Sequence, residues 1–160
     1  MLADRLKAKF GDALIQSTKD FDFPVFEFQK SEIKNAIYYL KNSEGFNYLT
    51  TLCGSQFPEA EKSREYNVMY QLHNFTTNDR IRLKTFMPEE DLKLNTITDI
   101  YDAANWMERE AYDFFGFTFD GHPNMTRILN MAEMNYFPLR KQYPLEDMSR
   151  DDKNDKFFGR

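Results

Sequence analysis

Cysteine and histidine are scarce in this 160-residue chain, which has one Cys and two His. An iron–sulfur cluster needs about four cysteine ligands, and a structural zinc ion needs about four Cys or His. Cys53, His73 and His122 together cannot supply either set. A single cysteine also forms no internal disulfide, which favours a reducing compartment. The sequence therefore predicts no metal centre within this chain.

Four other features are missing as well. No apolar run approaches the about 20 residues that a membrane-spanning helix needs, and the N-terminal MLADRLKAKF lacks the apolar centre of a signal peptide. The net charge is −5, so there is no broad basic field for a phosphate backbone, and no glycine-rich nucleotide loop occurs. We expect a protein that is soluble by itself, binds no nucleic acid and stays on the side of the membrane where it is made.

The residues that are present suffice for one folded domain, with 41% apolar and 16% aromatic residues. Region 2–10 has the pattern of a short amphipathic helix, and segments 13–17 and 24–29 are strand candidates. Ser31 is a favoured N-cap, and behind it four apolar residues fall at helical spacing. We therefore expect a helix over 32–42.

Three further segments show the apolar–polar alternation of half-buried strands. These segments are 46–53, 64–72 and 80–87. In the first, the alternation predicts that Phe46, Tyr48, Thr50 and Leu52 share one face. The last two are separated by a turn near 76–79, so they form a hairpin.

The longest helix is predicted over 98–115, with an alanine-rich apolar stripe that allows close approach to the sheet. On its other side Arg109 and Asp113 are four residues apart and are predicted to pair. Trp106 falls on the same side, which predicts that a partner or the tail covers it.

Four side chains are candidates for chemistry. Glu108 and Glu110 point to different sides of the helix, so we interpret them as helix-edge carboxylates paired with arginine rather than as an acid–base pair. His122 lies at a Gly-His-Pro corner without a second His or Cys nearby, which favours a structural or interface role over metal binding. Cys53 has no activating neighbour in the sequence and is predicted to be buried as a small apolar residue.

Residues 121–160 show no steady period, and prolines interrupt any long helix. We therefore divide the chain into a domain over 1–120 and an extended arm over 121–160. Arg127, Arg140 and Lys141 either grip acidic groups or helix ends on a partner or remain solvated.

The predicted fold class is α+β, a small mixed or antiparallel sheet covered by helices, with an irregular C-terminal arm. Two classes of function remain open at this point. One is an architectural subunit of a larger assembly, and the other is a small enzyme whose site cannot be recognised from spacing. The abundant aromatic residues and an arm without a core of its own favour the first.

The stretch WMEREAYDFFGFTFDGHPNMTRILN at 106–130, with PLRKQYPLE at 138–146, resembles the signature of the C subunit of NADH:quinone oxidoreductase, the 30-kDa subunit family of complex I. The matching residues are Glu108, Arg109, Glu110, Tyr112, Asp113, Phe115, Gly116, Gly121, His122, Pro123, Arg127, Ile128, Leu129, Pro138, Leu139, Arg140, Lys141, Tyr143 and Pro144. The chain departs from the family pattern at Asn124-Met125, Tyr136-Phe137 and Gln142.

This resemblance implies an assembly function without a catalytic site in the chain itself. The family member braces the 49-kDa-like D subunit, which forms much of the quinone pocket, and lies near iron–sulfur subunits. Those partners bind FMN, the clusters and quinone, and the whole enzyme transfers electrons from NADH to quinone and pumps protons. The implied location is peripheral, on the cytoplasmic side of the inner membrane and attached only through the complex. An equivalent subunit of a membrane-bound hydrogenase or of a complex with another electron donor is the alternative.

The resemblance also suggests which residues serve the interface. In this view the Gly121-His122-Pro123 corner begins the arm, and basic residues anchor the arm on the partner while Tyr136, Phe137 and Tyr143 bury apolar area. The predicted interface or structural set is Trp106, Glu108, Arg109, Glu110, Asp113, Gly121, His122, Pro123, Arg127, Pro138, Leu139, Arg140, Lys141 and Tyr143.

Overall fold

A computed structural model of the chain describes residues 1–20 and 23–143. The α-helices within these residues are α1 (Leu2–Phe10), α2 (Ile33–Glu44) and α3 (Ala104–Phe115), and short 3-10 helices cover Gly11–Ala13, Lys62–Arg64 and Glu89–Asp91. The strands are β1 (Leu14–Asp20), β2 (Phe23–Phe28), β3 (Tyr48–Gln56), β4 (Tyr66–Asn74), β5 (Asp79–Met87), β6 (Lys93–Asn95) and β7 (Thr118–Asp120). The predicted α+β class is confirmed, and the short strands β6 and β7 are additions that no alternation in the sequence indicates.

The main sheet has five strands in the order β1-β2-β5-β4-β3. Its β2–β5 pair is parallel and its other pairs are antiparallel, so the sheet is mixed. The predicted hairpin is β4–β5, and Asn78 in its turn has a φ of 59°, a conformation that Asn adopts more readily than most residues. A separate two-stranded parallel pair joins β6 to β7.

One face of the main sheet forms the core together with α2 and α3. The predicted alternation on β4 is confirmed, because Tyr66, Val68, Tyr70 and Leu72 are all buried. The apolar stripe of α2 packs against this face through its four buried residues, which are Ile33, Ala36, Ile37 and Leu40. Sequence period and burial agree here because both elements lie with one side on the core.

The predicted facing of β3 is wrong. Leu49 and Leu52 are buried, whereas Tyr48 is 47% exposed. A register shift between Leu49 and Thr51 inserts one extra residue opposite β4, so the side chains change face at that point. Strict alternation could not indicate this bulge.

Two predicted helix starts are also wrong. The N-cap of α2 is Glu32 rather than Ser31, and no side chain caps the helix there. The helix α3 begins at Ala104 rather than at 98, because the preceding residues form a separate turn in which the N–H groups of Ile100 and Tyr101 both donate to the carbonyl of Ile97.

Cys53 is exposed, which contradicts its predicted burial. It lies on the edge strand β3, and its register partner Met69 is only half-buried. Cys53 therefore faces away from the core, on the side of the sheet opposite Leu52.

Gly54 on β3 lies against aromatic rings at the end of α3 and in the segment that follows it. A Cβ at this position would lie 2.5 Å from Cε2 of Phe117 and 3.0 Å from Cδ2 of Phe115. We expect Gly54→Ala to lower the free energy of unfolding by about 2 kcal/mol, because overpacking a core typically costs about 1–3 kcal/mol. Urea unfolding of the purified chain measures the change.

The matched control is Thr50→Ser, at an exposed position on the same strand. It should change the free energy of unfolding by no more than about 0.5 kcal/mol, as surface substitutions usually do. If Gly54→Ala unfolded at the same urea concentration as the parent, the rings of Phe115 and Phe117 would have room to move aside.

Candidate subunit interface

The described part of the arm, residues 121–143, contains no helix or strand and lies back against α3. Its polar contacts with α3 and the following residues involve three arginines, one histidine and several backbone N–H groups of the arm, most of which donate to Asp113. Residues 144–160, which include the predicted Pro144, lie outside the described part of the chain. The predicted extension of the arm over partner subunits stays a prediction.

Asp113 is the buried centre of this arrangement, with no solvent-exposed surface. Its Oδ2 accepts hydrogen bonds from the backbone N–H groups of Ile128, Leu129 and Asn130 at 3.1, 2.8 and 3.0 Å. Its Oδ1 lies 2.7 Å from Nη1 of Arg127. Burial alone would raise the pKa of Asp113, but the N–H donors and the guanidinium outweigh it and lower the pKa well below its ordinary value.

Arg127 is used within the chain rather than held out to solvent, since its side chain is only 8% exposed. Besides Asp113, it donates from Nη2 to the carbonyl oxygens of Met134 and Tyr136, at 2.9 Å each. Its guanidinium also lies 5.1 Å from the ring centre of Phe137. Arg127 thus closes the arm into a loop on the surface of α3.

The predicted ion pair between Arg109 and Asp113 is wrong, because Asp113 forms its ion pair with Arg127. Arg109 instead donates to the carbonyl and hydroxyl oxygens of Thr126, both at 3.0 Å. Its guanidinium lies 5.0 Å from the ring centre of Trp106, which is 63% exposed. The described part of the arm does not cover Trp106, and the alternative that a partner covers it stays a prediction.

Arg140 fastens the distal part of the arm. Its Nε donates to the carbonyl of Phe115 at 2.8 Å, and its Nη1 lies 2.8 Å from a carboxylate oxygen of Glu89. The guanidinium is 4.8 Å from the ring centre of Phe137 and approaches Gly116 closely. A Cβ on Gly116 would lie 2.8 Å from Nη2 of Arg140, and the φ of 86° also favours glycine.

The residues around Arg140 are less enclosed. The backbone N–H of Lys141 donates to Oε1 of Gln56 at 2.7 Å, while the side chain of Lys141 is exposed. Pro138 is half-buried, and Leu139 and Tyr143 are 38% and 36% exposed. The side chain of Arg140 therefore binds groups within the chain. That the exposed side chain of Lys141 contacts a partner stays a prediction.

The Gly121-His122-Pro123 corner ties the start of the arm to α3. Nε2 of His122 is 3.1 Å from the carbonyl of Asn105, and Nδ1 accepts a hydrogen bond from the N–H of Asn124 at 3.0 Å. This pattern assigns the proton to Nε2. Gly121 has a φ of 82°, and Pro123 is exposed. Both ring nitrogens of His122 thus form hydrogen bonds that stabilise the corner.

The prediction that the two helix glutamates are helix-edge carboxylates paired with arginine is wrong for Glu108, whose partners are Thr96 and the backbone of Ile97. Glu110 is exposed, whereas Glu108 is completely buried. Glu108 accepts hydrogen bonds from the N–H of Ile97 at 2.8 Å and from the hydroxyl of Thr96 at 2.6 Å. Burial is the largest influence on Glu108 and raises its pKa to about 7, although these two donors work in the opposite direction.

Apolar side chains are exposed along the outer side of the arm. Leu129 and Met131 are 65% and 70% exposed. Tyr136 and Tyr143 are partly exposed and have their ring centres 5.0 Å apart. Exposed apolar groups gathered in one segment are typical of a surface that another protein covers.

Several members of these networks carry no signal in the sequence. Thr96 lies in the loop after β6, and Glu89 lies in a short 3-10 helix 51 residues before its partner Arg140. Thr126 contributes its carbonyl as well as its hydroxyl. A short polar residue or a surface glutamate has no periodic pattern, so sequence reasoning missed all three.

Neither a metal site nor a membrane span occurs in the described part of the chain. Among residues 1–20 and 23–143, no three His, Cys, Asp or Glu side chains come together as around a metal ion. Over the same ranges, no helix combines the length and the apolar composition that crossing a bilayer requires.

Comparison with known sequences identifies a family. A model of the family described as "Respiratory-chain NADH dehydrogenase, 30 Kd subunit" matches residues 26–149. The NADH-quinone oxidoreductase C subunit of Citrifermentans bemidjiense is 33% identical over 147 residues, covering 92% of this chain and 90% of that protein. The C subunit of Phenylobacterium zucineum is 41% identical over 113 residues, or 71% of this chain, but the match spans only 53% of that longer relative.

A third relative is named as a combined subunit. The NADH-quinone oxidoreductase C/D subunit of Bdellovibrio bacteriovorus is 34% identical over 142 residues, which cover 89% of this chain and 25% of that protein.

Comparison with solved structures agrees on the fold. The structure named "Nqo5 of the trypsin-resistant fragment (1-134) in P63 form" aligns with a TM-score of 0.68 at 26% identity, covering 77% of this chain and 98% of that one. A chain of an archaeal membrane-bound sulfane sulfur reductase aligns with a TM-score of 0.75 at 24% identity, covering 90% of this chain and 84% of that one, which shows a shared fold. From the family match over residues 26–149 and the relatives named above, we conclude that this chain belongs to the family of 30-kDa subunits of respiratory-chain NADH dehydrogenase.

Proposed function

We propose that the chain is a non-catalytic structural subunit of the peripheral arm of a proton-pumping NADH:quinone oxidoreductase. The family match across residues 26–149 carries this proposal, because it includes α3 and the whole described arm. The geometry supports it, since Arg127, Arg140 and His122 use their polar groups to fix the shape of the arm. An arm fixed in this way, with apolar side chains outside, suits assembly.

The proposed main neighbour is the 49-kDa-like D subunit, with iron–sulfur subunits close by. The Bdellovibrio relative supports this choice, because it bears the names of the C and D subunits in one polypeptide. Parts that are joined covalently in one protein are good candidates for contact when they occur as separate chains. In this arrangement the chain braces the subunit that forms much of the quinone site.

The cofactors of such an enzyme are FMN, iron–sulfur clusters and quinone, and we assign them to partner subunits. The donor set of this chain does not fit a cluster, because the full sequence has one cysteine and cluster ligation generally needs about four. The chain would be a peripheral protein of the inner membrane on its cytoplasmic side, held there through the complex.

An equivalent subunit of a related complex, such as a membrane-bound hydrogenase or a quinone reductase with another electron donor, is the second candidate. The alignment with the sulfane sulfur reductase supports it, because the same fold occurs there in a respiratory membrane complex of another name. Electron donors are bound by other subunits, so the partners of this chain distinguish the two candidates.

Co-purification tests the proposal. The chain would carry an affinity tag in its native cell, and the complex would be extracted in mild detergent and assayed for flavin, iron–sulfur absorbance and NADH-dependent quinone reduction. All three are expected to accompany the chain. Clusters without NADH activity would favour the second candidate, and a chain that elutes alone after cross-linking would contradict both.

A further inference from the structure

The loop held by Asp113 has a fixed backbone and exposed apolar side chains. Three consecutive N–H groups, from Ile128 to Asn130, donate to one carboxylate oxygen of Asp113. Ile128 and Asn130 are half-buried, whereas Leu129 and Met131 are largely exposed. Fixing the backbone in advance lowers the ordering cost when such side chains enter a binding partner. The exposed pair is therefore preorganised.

The cations beside this loop already have partners inside the chain. Arg127 donates hydrogen bonds to Asp113 and to the carbonyl groups of Met134 and Tyr136. Arg109 donates hydrogen bonds to Thr126. A protein that docks on the loop meets apolar side chains first, so the contact should depend on apolar burial and resist salt.

We propose that Leu129 and Met131 form a docking knob that enters an apolar pocket on the 49-kDa-like chain of the same complex. The inference rests on the proposed function and names the contact that carries it. The Bdellovibrio relative supports the choice of partner, because its name joins the C and D subunits in one polypeptide. Methionine suits such a contact, since its flexible side chain adapts to the shape of a pocket.

The test replaces both knob residues by Leu129→Ser and Met131→Ser in the full chain within its native cell. The fraction of the chain that co-sediments with the complex is expected to fall at least about tenfold, because burying two such side chains contributes well over the about 1.4 kcal/mol that equals one factor of ten. The matched control is Ile15→Ser with Tyr38→Ser, two residues of similar exposure outside the arm, and it should co-sediment like the parent.

A photoreactive side chain in place of Met131 identifies the partner in the intact complex and does not depend on how the serine variant folds. A cross-link to the 49-kDa-like chain supports the proposal, and a cross-link to another subunit or to a second copy overturns it. Equal co-sedimentation of the knob variant and the parent also overturns it.

Salt dependence gives a further check on the same contact. Raising the ionic strength from about 0.1 M to about 1 M shortens the screening length from about 10 Å to about 3 Å, so a contact made by charges weakens. The parent should stay bound over this range, and its release by salt would overturn an apolar knob. If the parent fails to co-sediment even at low salt, the proposed function itself is wrong.

Discussion

Replacing Asp113 with Ala is expected to lower the free energy of unfolding by about 3–5 kcal/mol, the usual cost of removing one partner from a buried ion pair. The substitution would leave the guanidinium of Arg127, which is 8% exposed, without its carboxylate. It would also remove the acceptor of three backbone N–H groups in the arm. We therefore expect the loop over residues 127–136 to detach from α3, whereas the contacts of His122 and Arg140 and the sheet remain in place.

Two measurements separate this local effect from global unfolding. Limited proteolysis should cleave the arm of the variant much faster than that of the parent, and urea unfolding should report the change in free energy. Asp102→Ala is the matched control, since Asp102 is exposed just before α3, and it should change the free energy by no more than about 0.5 kcal/mol. An arm that resists protease equally in parent and Asp113→Ala would contradict the anchoring role.

The stability of the parent should depend on pH because Asp113 holds the arm only while it is ionised. The pKa of Asp113 is lowered in the folded protein, so its contribution to stability is present above the ordinary pKa of an aspartate. That contribution is lost as the pH falls toward the folded-state pKa. Acid should therefore release the arm of the parent, whereas Asp113→Ala should lack this acid-dependent step.

The sequence could predict the elements whose burial repeats with a regular period. On β4 the alternation of Tyr66, Val68, Tyr70 and Leu72 reports the buried face directly, and α2 shows its core face at helical spacing. On β3 the same reasoning failed, because one bulge reverses the facing of every residue on one side of it.

The partner of Asp113 could not be predicted for a different reason. Arg109 lies four residues away on the same helix, which is the usual geometry for a pair, and Arg127 is 14 residues away. Only the path of the arm decides between them, and that path is set by the His122 corner and by Arg140. Long-range closure of this kind leaves no periodic trace in the sequence.

We expect the parent to lose about 3 kcal/mol of unfolding free energy relative to Glu108→Gln as the pH rises from about 4 to about 8. The figure follows because one unit of pKa corresponds to about 1.4 kcal/mol. The folded-state pKa of Glu108 is raised to about 7 from an ordinary value of 4.5, mainly by burial. The folded parent therefore binds a proton more tightly than the unfolded chain. It loses stability as the pH rises from the unfolded-state pKa through the folded-state pKa.

Gln keeps the shape of the side chain and an oxygen that can accept from the N–H of Ile97, but it does not ionise. The charged groups that act on Glu108 from neighbouring elements are Lys34 on α2 and Asp99 in the loop before α3, and both remain in the variant. The difference in unfolding free energy between variant and parent should therefore shift in favour of Gln as the pH rises. Glu110→Gln, at an exposed position on the same helix, is the control and should stay within about 0.5 kcal/mol of the parent at each pH.

Parallel stability curves for Glu108→Gln and the parent over this pH range would show that Glu108 keeps an ordinary pKa despite its burial. The comparison with Asp113 explains why such an outcome is not expected. Both carboxylates belong to α3 and both are completely buried, but Asp113 has three backbone N–H donors and a guanidinium, whereas Glu108 has one N–H and one hydroxyl. The number and charge of the hydrogen-bond donors therefore set the two pKa values in opposite directions. Asp113 is ionised at neutral pH and fixes the arm, whereas Glu108 is partly protonated.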